Sequence, residues 1–312
     1  MNTQSRVLVT GGAGFIGSHL CDQLIAAGHQ VVALDDLSTG RVENIAHLAG
    51  NANFAFVRGS ILDAALLQTA MDGAVYVFHQ AAIASVPRSV KDPLATHEAN
   101  ATGTLRVLLA ARQAGVQHVV FASSSSVYGD TPTLPKREDM PLKPLSPYAV
   151  SKLASEAYCA AFTECYGLQT TALRYFNVYG PRQDPNSEYA AVIPKFIRAA
   201  TGGQPLTIYG DGLQTRDFTY VKDVVAANIF AAAHGLTGSF NVGRGDTVTI
   251  NALAELVLRA TRSSSTVTHL PARPGDIYAS QSDPGRLSQA GFVLRTTLAE
   301  GIARTLARNP FP

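Results

Sequence analysis

VLVTGGAGFIG occupies residues 7–17 and decides the fold of the first half of the chain. The apolar run Val7 to Val9 predicts a buried strand, and the amphipathic segment Ser18 to Ala27 predicts a helix after the turn. Gly12 and Gly14 let the chain turn sharply and let a pyrophosphate approach the backbone, while Gly17 lets the helix pack closely on the strand. The helix N-terminus attracts phosphate. The stretch therefore predicts a dinucleotide-binding turn.

A second apolar run, Val31 to Leu34, ends in two acidic residues, Asp35 and Asp36. An acidic residue at this place hydrogen-bonds the hydroxyls of the adenine ribose and repels a 2′-phosphate. The pattern therefore favours NAD over NADP as the cofactor.

Strand and helix patterns alternate through the first half of the chain. Further apolar runs cover Phe54 to Val57, Val75 to His79, Val119 to Ala122 and Thr170 to Tyr175, and helical segments cover Asp63 to Met71, Thr96 to Ala114 and Tyr148 to Tyr166. This βαβ alternation predicts an α/β fold with a doubly wound parallel sheet of the Rossmann type, with the cofactor across its carboxyl edge.

The order changes beyond Gly180, where glycine-rich and proline-containing turns separate short segments. A chain of 312 residues exceeds the usual size of one core, so a smaller C-terminal α/β substrate-binding domain is expected. A helix at Val221 to His234 and a strand at Ser239 to Gly243 predict one return to the main sheet. The predicted domains are 1–177 plus 218–246 for the NAD-binding domain, and 178–217 plus 247–312 for the other.

Composition narrows the function classes. The sequence is 46% hydrophobic without a long apolar stretch, which predicts a soluble protein with no membrane partner. A net charge of +2 with scattered Lys and Arg gives no basic stripe for nucleic acid. The first strand begins at Arg6, which leaves no room for a signal peptide. Cys21, Cys159 and Cys165 lack metal-ligand spacing, so we expect reduced thiols, a cytoplasmic location and no metal.

A candidate catalytic group lies in SPYAVSK at residues 146–152. If Tyr148 starts a helix, Lys152 lies one turn away on the same face. The lysine ammonium and a cationic nicotinamide ring would together lower the phenol pKa by about three units, or about 4 kcal/mol. Tyr148 would then take a proton from a carbinol. The serine run Ser123 to Ser126 ends a strand at the carboxyl edge, where a hydroxyl would help to bind the substrate.

These motifs resemble the extended short-chain dehydrogenases/reductases, and among them the nucleotide-sugar 4-epimerases. The resemblance covers almost the whole chain. In family order it comprises TGGAGFIGSHL, DDLSTG, HQAA, SSSSVYG, SPYAVSK, LRYFNVYGPRQDP and RDFTYVKDV. It implies oxidation at C4 of a UDP-hexose by NAD to a 4-ketose, rotation of the ketose, and return of the hydride to the opposite face.

The resemblance also implies roles for individual residues. Tyr148 and Lys152 are catalytic with Ser124, for which Ser125 and Ser126 are alternatives. Asp63 would contact the adenine, and Asn100 would support the active site. The residues implied around NAD are Gly11, Gly14, Phe15, Ile16, Gly17, Asp35, Asp36, Ser38, Gly40, Ile61, Asp63, Ala81, Ala82, Asn100, Tyr148, Lys152 and Tyr175.

For the nucleotide sugar, the resemblance implies that Asn177 and Arg216 bind the diphosphate. Arginine suits a diphosphate because its planar fork can donate two parallel hydrogen bonds. Alternatively, Arg216 pairs with the neighbouring Asp217. The remaining implied contacts are Ala191, Val192 and Tyr209 around the uridine, Arg273 and Asp276 on phosphate and ribose, and Ser85, Arg88 and Ser124 to Ser126 on the sugar.

The choice of sugar depends on RPGDIYAS, in which Ser280 stands where the resembling epimerases gate the sugar pocket. A small residue there leaves room for an N-acetyl group, whereas a tyrosine would exclude it. We therefore expect interconversion of UDP-GlcNAc and UDP-GalNAc, with UDP-glucose and UDP-galactose also accepted. The alternative is that Ser280 is an ordinary loop serine.

Other activities stay open. A UDP-uronate 4-epimerase would use Arg88 or Arg182 for the carboxylate. A 4,6-dehydratase would need an acidic pair where Ser125 and Ser126 stand, and a UDP-glucuronate decarboxylase usually has a glutamate in the serine run. A non-catalytic NAD-sensing or RNA-associated Rossmann protein tends to lose the Tyr and Lys, which are both present here.

The helical segments Thr96 to Ala114 and Tyr148 to Tyr166 are apolar around much of their circumference. In the family these helices form a four-helix interface between two subunits, so we expect a homodimer. A helix buried on both sides within a monomer would look similar.

Overall fold

The computed structural model describes residues 4–184, 191–272 and 277–308. Its strands are β1 (Arg6–Thr10), β2 (Gln30–Asp35), β3 (Phe54–Arg58), β4 (Tyr76–His79), β5 (His118–Ser124), β6 (Gln169–Tyr175), β7 (Val178–Tyr179), β8 (Leu206–Tyr209), β9 (Thr215–Arg216), β10 (Thr219–Tyr220), β11 (Gly238–Val242), β12 (Val248–Thr249) and β13 (Val267–Leu270).

The helices are α1 (Phe15–Ala26), α2 (Ala64–Met71), α3 (Val86–Lys91), α4 (Pro93–His97), α5 (Gly103–Gln113), α6 (Pro147–Tyr166), α7 (Val192–Thr201), α8 (Val221–Ala233), α9 (Ile250–Thr261), α10 (Gly285–Gln289) and α11 (Leu298–Arg308). Within the described ranges, none of them is long and apolar enough to cross a membrane.

The main sheet has seven strands in the order β11-β6-β5-β4-β1-β2-β3. β1 pairs in parallel with β2 and β4, β2 with β3, and β4 with β5. The predicted doubly wound α/β sheet is confirmed. Because β1 lies in the middle of the order, with later strands added on both sides, the switch point falls at the carboxyl ends of β1 and β4.

The chain divides into two compact units. The first comprises Met1–Val127, Leu142–Arg174 and Val225–Phe240, and the second comprises Tyr128–Pro141, Tyr175–Val224 and Asn241–Pro312. These units differ from the predicted domains at 128–141, 175–177, 218–224 and 241–246. The domain assignment stays a prediction.

The first unit buries an apolar cluster that includes Leu8, Leu34, Leu67, Leu108 and Phe162. These residues come from strands of the main sheet and from the helices α2, α5 and α6. The cluster fixes α6 against the sheet, and α6 carries the predicted catalytic pair.

The start and the end of α6 follow from its sequence. Ser146 caps the helix, its Oγ accepting a hydrogen bond from the backbone N–H of Ala149, and Pro147 occupies the first turn. At the other end Gly167 has a left-handed φ of 69°, which glycine adopts without strain. The 20 residues between them form the longest helix of the described chain.

The predicted helix Thr96 to Ala114 is interrupted. A π-helical turn at Glu98–Thr102 separates α4 from α5. Such turns are rare and occur frequently at functional sites. Here the turn contains Asn100.

The second unit contains three pairs of short strands: β7 with β10, β9 with β12, and β8 with β13. β9 and β12 are antiparallel, and the other two pairs are parallel. The helix α7 packs on β8 and α9. Its apolar residues Ile193, Phe196 and Ile197 are buried.

Candidate active site

The glycine turn that connects β1 to α1 is closely packed. Gly11 has a left-handed φ of 68°, and a Cβ on Gly17 would lie 2.0 Å from the carbonyl oxygen of Gly11. Gly14 precedes the first turn of α1, and no side chain caps that end. The turn therefore fits a pyrophosphate, which could approach the backbone and the N-terminus of α1.

Asp35 ends β2 and is buried, with an exposed fraction of 7%. Its Oδ2 accepts a hydrogen bond from Ala13 N at 2.9 Å, and its Oδ1 accepts one from Leu37 N at 2.8 Å. Burial raises the pKa of Asp35, while these bonds act in the opposite direction. Asp35 therefore holds the glycine turn itself, and its predicted contact with a ribose stays a prediction.

Gly40, Asp36 and Ser38 lie next to Asp35 on the same side of the glycine turn. Gly40 packs against the carboxylate, because a Cβ there would lie 2.6 Å from Oδ1 of Asp35. The exposed Asp36 accepts a hydrogen bond from Ser38 N at 2.9 Å. These predicted residues thus form one loop beside the glycine turn.

Other predicted NAD residues lie on neighbouring elements of the first unit. Ala81, after β4, touches the turn, because a Cβ on Gly11 would lie 2.7 Å from its nitrogen. Ile61 is buried, and Ala82 is half-buried. Asp63 is exposed and caps α2 through Ala65 N and Leu66 N. Tyr175, in the second unit, is buried.

Tyr148 and Lys152 lie in the first two turns of α6, beside the carboxyl end of β5. The Ser124 side chain is close enough to the Tyr148 hydroxyl to act on the pKa of the phenol, which it lowers. The Lys152 Nζ donates to the carbonyl oxygen of Ala122 at 2.7 Å and lies 5.9 Å from the Tyr148 ring centroid. Its side chain is buried over the Phe121 ring. The structure thus brings the three predicted catalytic residues together.

The protein alone moves the two pKa values away from their ordinary values. Burial lowers the pKa of Lys152 to about 8, against the opposing influence of Cys159 and Glu156. Burial raises the pKa of Tyr148, and the Ser124 side chain partly offsets this. The predicted lowering of the phenol pKa is therefore not produced by this chain alone. It depends on the cationic ring that the prediction included.

The serine run is predicted to supply one catalytic hydroxyl, from Ser124 or alternatively from Ser125 or Ser126. Of the three candidates, Ser124 is the one that acts on the pKa of Tyr148. Its Oγ also accepts a hydrogen bond from Ser126 N at 3.2 Å. The Ser126 hydroxyl is buried and has no hydrogen-bond partner among the described residues. The geometry therefore favours Ser124 over Ser125 and Ser126.

Asn100 supports this group from the π-helical turn. Its side chain is buried, with Oδ1 accepting from Ile83 N at 2.8 Å and Nδ2 donating to Ile83 O and to Ser151 Oγ. The Ser151 hydroxyl in turn donates to the backbone carbonyl of Tyr148 at 2.7 Å. This chain of bonds ties the π turn to the first turn of α6, which fits the predicted supporting role.

His79 was missed by the sequence reasoning as a residue of this region. It ends β4 between the hydroxyls of Thr10, at 2.7 Å, and Thr104, at 3.0 Å. Burial and the nearby Lys152 lower the pKa of His79 to about 3, so the imidazole is neutral. The HQAA motif pointed to this position, but nothing local identified the two threonines.

The second unit contains a cleft with a volume of ≈ 270 Å³. This is near the lower end of the roughly 300–1,000 Å³ typical of small-molecule sites. Five predicted substrate residues line it, namely Asn177, Ala191, Val192, Tyr209 and Arg216. Lys195 and Gln214 also line it, and no prediction named them. A cation on the first turns of α7, three residues after Val192, could have signalled Lys195.

Two of these residues have a distinctive backbone or side-chain geometry. Asn177 has a positive φ of 32°, a strained conformation of the kind that clusters at functional sites. Its Nδ2 donates to the backbone oxygen of Asp217 at 2.8 Å. Arg216 donates to Thr215 O and Tyr278 O. The buried Asp217 carboxylate accepts from Ser282, Arg244 N and Gly245 N.

The remaining substrate predictions have different outcomes. Arg273 and Asp276 lie outside the described residues. Ser280 is half-buried, and its nitrogen donates to Thr215 O at 3.2 Å. Ser85 caps α3 by accepting from the nitrogen of Arg88, whose side chain is exposed. Across the described part of the chain, no three His, Cys, Asp or Glu side chains are grouped to hold a metal.

Known proteins resemble this chain over nearly its full length. The model of the NAD dependent epimerase/dehydratase family matches residues 7–243. UDP-glucose 4-epimerase of Mycolicibacterium smegmatis is 44% identical over 307 residues, which cover 96% of this chain and 97% of that protein. UDP-N-acetyl-alpha-D-glucosaminuronate decarboxylase of Bacillus cytotoxicus is 40% identical over 274 residues, 86% and 84% of the two chains.

A solved structure is similar as well. UDP-N-acetylglucosamine 4-epimerase from Methanobrevibacter ruminantium M1, in complex with UDP-N-acetylmuramic acid, superposes with a TM-score of 0.95 at 42% identity. The match covers 98% of each chain.

Proposed function

Because the chain belongs to the NAD-dependent epimerase/dehydratase family, we propose that it is a UDP-sugar 4-epimerase that inverts C4 of the hexose. The observation that carries the proposal is the cluster of Tyr148, Lys152 and Ser124 at the carboxyl edge of β5. A phenol beside a hydroxyl and a buried cation suits proton transfer with a sugar hydroxyl.

The cofactor is NAD, which when bound accepts a hydride from C4 and returns it. The glycine turn, the Asp35 loop and Ala81 would hold it. Tyr148 would take the proton of the 4-hydroxyl and later return one. Ser124 would hydrogen-bond the same hydroxyl, and the ammonium of Lys152 would stabilise the phenolate.

The cleft of the second unit supports binding of the nucleotide. Arg216 offers a guanidinium to the diphosphate, and Asn177, Ala191, Val192 and Tyr209 line the same cleft. In the proposed reaction the nucleotide is held firmly while the sugar stays loosely held, since the 4-ketose has to present both faces. Arg273 and Asp276 remain proposed contacts on the strength of the family motif.

For the sugar, we propose UDP-GlcNAc and UDP-GalNAc as the preferred pair, with UDP-glucose and UDP-galactose also accepted. The small Ser280 supports the first pair, as does the similarity to the Methanobrevibacter ruminantium UDP-N-acetylglucosamine 4-epimerase. The similarity to the Mycolicibacterium smegmatis UDP-glucose 4-epimerase supports the second pair.

The direct test incubates the purified protein separately with UDP-GlcNAc, UDP-glucose and UDP-glucuronate, and follows the anomeric signals by proton NMR. Formation of UDP-GalNAc as the fastest reaction is expected. Turnover of UDP-glucuronate alone would replace the proposal with a uronate 4-epimerase using Arg88 or Arg182, and loss of carbon dioxide would indicate a decarboxylase. If no UDP-sugar reacts although NAD is bound, the proposal that the protein is an epimerase is refuted.

The gate is tested by Ser280→Tyr. A bulky ring in place of the hydroxymethyl group removes the space for an acetamido group, so we expect UDP-GlcNAc turnover to fall at least about tenfold, the range of one badly fitting group. UDP-glucose turnover should change little. Ser280→Ala is the matched control and should keep both activities. A tyrosine variant that still epimerises UDP-GlcNAc at the original rate contradicts the gate.

We also propose a homodimer through α5 and α6. Leu109 on α5 and Val150 and Tyr158 on α6 expose 41%, 50% and 40% of their surfaces, which supports burial against a second copy as in the resembling family. Light scattering should give twice the mass of one chain for the original protein. The Tyr158→Glu variant should give the mass of a single chain. Leu213→Glu, at an exposed leucine of the second unit, is the control. A cytoplasmic location stays a proposal based on three free cysteines.

A further inference from the structure

Consecutive residues at the end of β5 contact three successive turns of α6. Ala122 O accepts from Lys152 Nζ, and the Ser123 hydroxyl donates to Glu156 Oε1. The Ser124 side chain lies close to the Tyr148 hydroxyl and lowers its pKa. Two of these helix residues are the catalytic pair. The third, Glu156, was not singled out by its motif and has no part in the proposed reaction so far.

Glu156 is buried in an ion pair with Arg174 of β6. The Arg174 Nη2 lies 2.8 Å from Glu156 Oε2, its Nε lies 3.0 Å from Oε1, and the two side chains expose 4% and 6% of their surfaces. Ser239 Oγ also donates to Oε2, at 3.3 Å. The carboxylate is thus fixed by a bidentate arginine and by two serine hydroxyls.

Stability alone does not account for such a pair, since apolar residues of similar volume often stabilise a core equally well. Its position is more informative. Residues four apart on a helix are neighbours on one face, so Glu156 stands one turn beyond Lys152. The nearest acidic group to follow the catalytic lysine along α6 is therefore held rigidly by the sheet.

We propose that Glu156 is a positioning residue of the active site, which fixes the end of β5 against α6 and keeps the Lys152 ammonium charged through a negative charge one helical turn away. Arg174 and Ser123 hold the carboxylate in place. The proposal rests on the proposed function only for its effect on turnover. The charge state of Lys152 is a property of the protein itself.

The charges around Lys152 agree with this role. Burial lowers the pKa of Lys152, and Glu156 and Cys159 act against it. Because burial raises the pKa of the Cys159 thiol far above its usual range, that thiol is neutral, which leaves Glu156 as the source of negative charge. His79 on β4 is neutral, and Tyr148 is a neutral phenol.

The ionisable side chains on the other elements that pack on α6 do not supply a buried negative charge near Lys152. The helices α3, α4 and α5 pack on α6, but their ionisable side chains Arg88, Lys91, His97, Arg106 and Arg112 are exposed, as is Glu98 of the π turn. Arg174 on β6 is the remaining buried cation near the group, and it is engaged by Glu156 itself.

The test follows Lys152 directly. The chain has six lysines, so protein labelled with ¹³C at the lysine ε-carbon gives few signals, and Lys152→Met identifies one of them. In the unmodified holoenzyme the signal should titrate at or below pH 8, since burial alone lowers the pKa of Lys152 to about 8 and the cationic ring of NAD acts in the same direction. In Glu156→Gln its midpoint should fall by about one pH unit, as expected for removing one nearby charge. Glu164→Gln, on the same helix and exposed, should leave it unchanged.

A second variant separates positioning from folding, since a single change leaves Arg174 buried without its carboxylate. Glu156→Gln with Arg174→Met removes both charges, and its thermal unfolding should stay near that of the original protein. The Lys152 midpoint should still fall, by less than in the single variant. In both variants the alkaline limb of the pH profile of turnover should shift to lower pH together with the Lys152 midpoint.

Folded variants whose Lys152 midpoint equals that of the original protein would overturn the proposal, whatever their activity. If the midpoint moves as expected and no UDP-sugar is turned over by any form of the protein, the proposed function fails and this inference stands.

Discussion

At the scale of single residues, the pKa values define what the chain must obtain from its ligand. Burial raises the pKa of Tyr148 and lowers that of Lys152, so the protein by itself disfavours the phenolate and the ammonium. The Tyr148 phenolate and the Lys152 ammonium stabilise each other, because opposite charges in a buried site attract strongly, and a cationic ring nearby stabilises the phenolate further. The base is therefore expected to become competent only with the cationic cofactor in place.

Tyr148→Phe removes the hydroxyl and keeps the ring. We expect kcat to fall by about 10²- to 10⁴-fold, the usual contribution of a general base, while NAD stays bound. NAD released by denaturation and measured by absorbance checks the binding. Tyr166→Phe, which changes an exposed phenol on the same helix, should keep full turnover. Undiminished activity in the Tyr148 variant would rule out the base.

What the sequence revealed at this scale depends on distance along the chain. The spacing of Tyr148 and Lys152 places them on one helical face, and their contact is local. The ion pair of Glu156 with Arg174, and the threonines that flank His79, join residues from different elements. No periodicity within one segment encodes which strands lie side by side, so these contacts required the structure.

At the scale of elements, the first turn of α1 packs directly against the backbone of the glycine turn. A Cβ at position 17 would lie 2.0 Å from a backbone oxygen, which no side-chain movement can relieve. Gly17→Ala should therefore displace the turn, release NAD and destabilise the protein by at least about 2 kcal/mol, in the range of backbone and overpacking changes.

The control is Gly50→Ala, where φ is 81° and nothing lies within 4 Å of the added Cβ. It should cost only about 1 kcal/mol of backbone strain and keep NAD. Denaturant unfolding and the NAD content of the purified proteins check both variants. Retention of NAD by Gly17→Ala would show that the turn is not the cofactor cradle.

The π turn is the element that the sequence did not predict. The pattern from Thr96 to Ala114 indicates one continuous helix, because its residues are helix-compatible throughout and a single π turn has no composition of its own. The reason for the turn lies in the partners of Asn100, which are Ile83 and Ser151 on other elements. The strands predicted for the main sheet agree closely with those of the structure, because their apolar runs are local.

Asn100→Ala tests the π turn. Removing the amide leaves the backbone groups of Ile83 without their partner, so we expect a loss of about 2–4 kcal/mol in the free energy of unfolding. Turnover should fall as well, because Ser151 holds the carbonyl of Tyr148. Urea unfolding and kcat are the measurements, with the exposed Asn53→Ala as control. A stable, fully active variant would contradict the supporting role.

At the scale of the whole molecule, the first unit was the more predictable one. Its sheet is built from repeated strand–helix units with strong apolar runs, which predict a parallel, doubly wound sheet. The order of the strands was seen only in the structure. The paired strands of the second unit have two to four residues each, which is too short to show alternation. The family motifs named five residues that line one cleft of this unit, and their substrate-binding roles stay a prediction.

Two buried histidines make the stability of the whole molecule dependent on pH. Burial lowers the pKa of His118 to about 4 and that of His79 to about 3, from an ordinary value of 6.5. Both are neutral in the folded protein and bind protons readily once unfolded. Their stabilising effect is therefore complete above pH 6.5 and is lost as the pH falls towards the folded values.

His118→Gln isolates one of these contributions. Between pH 7 and pH 5 the unfolded chain protonates His118 while the folded chain does not, which costs about 2 kcal/mol of stability. Glutamine can keep a hydrogen bond with Thr171, the partner of the imidazole at 2.8 Å, but it does not titrate. The variant should therefore lose about 2 kcal/mol less than the original protein on acidification, measured by urea unfolding at both pH values. An equal loss in the original protein and in His118→Gln would show that His118 takes up its proton in the folded state.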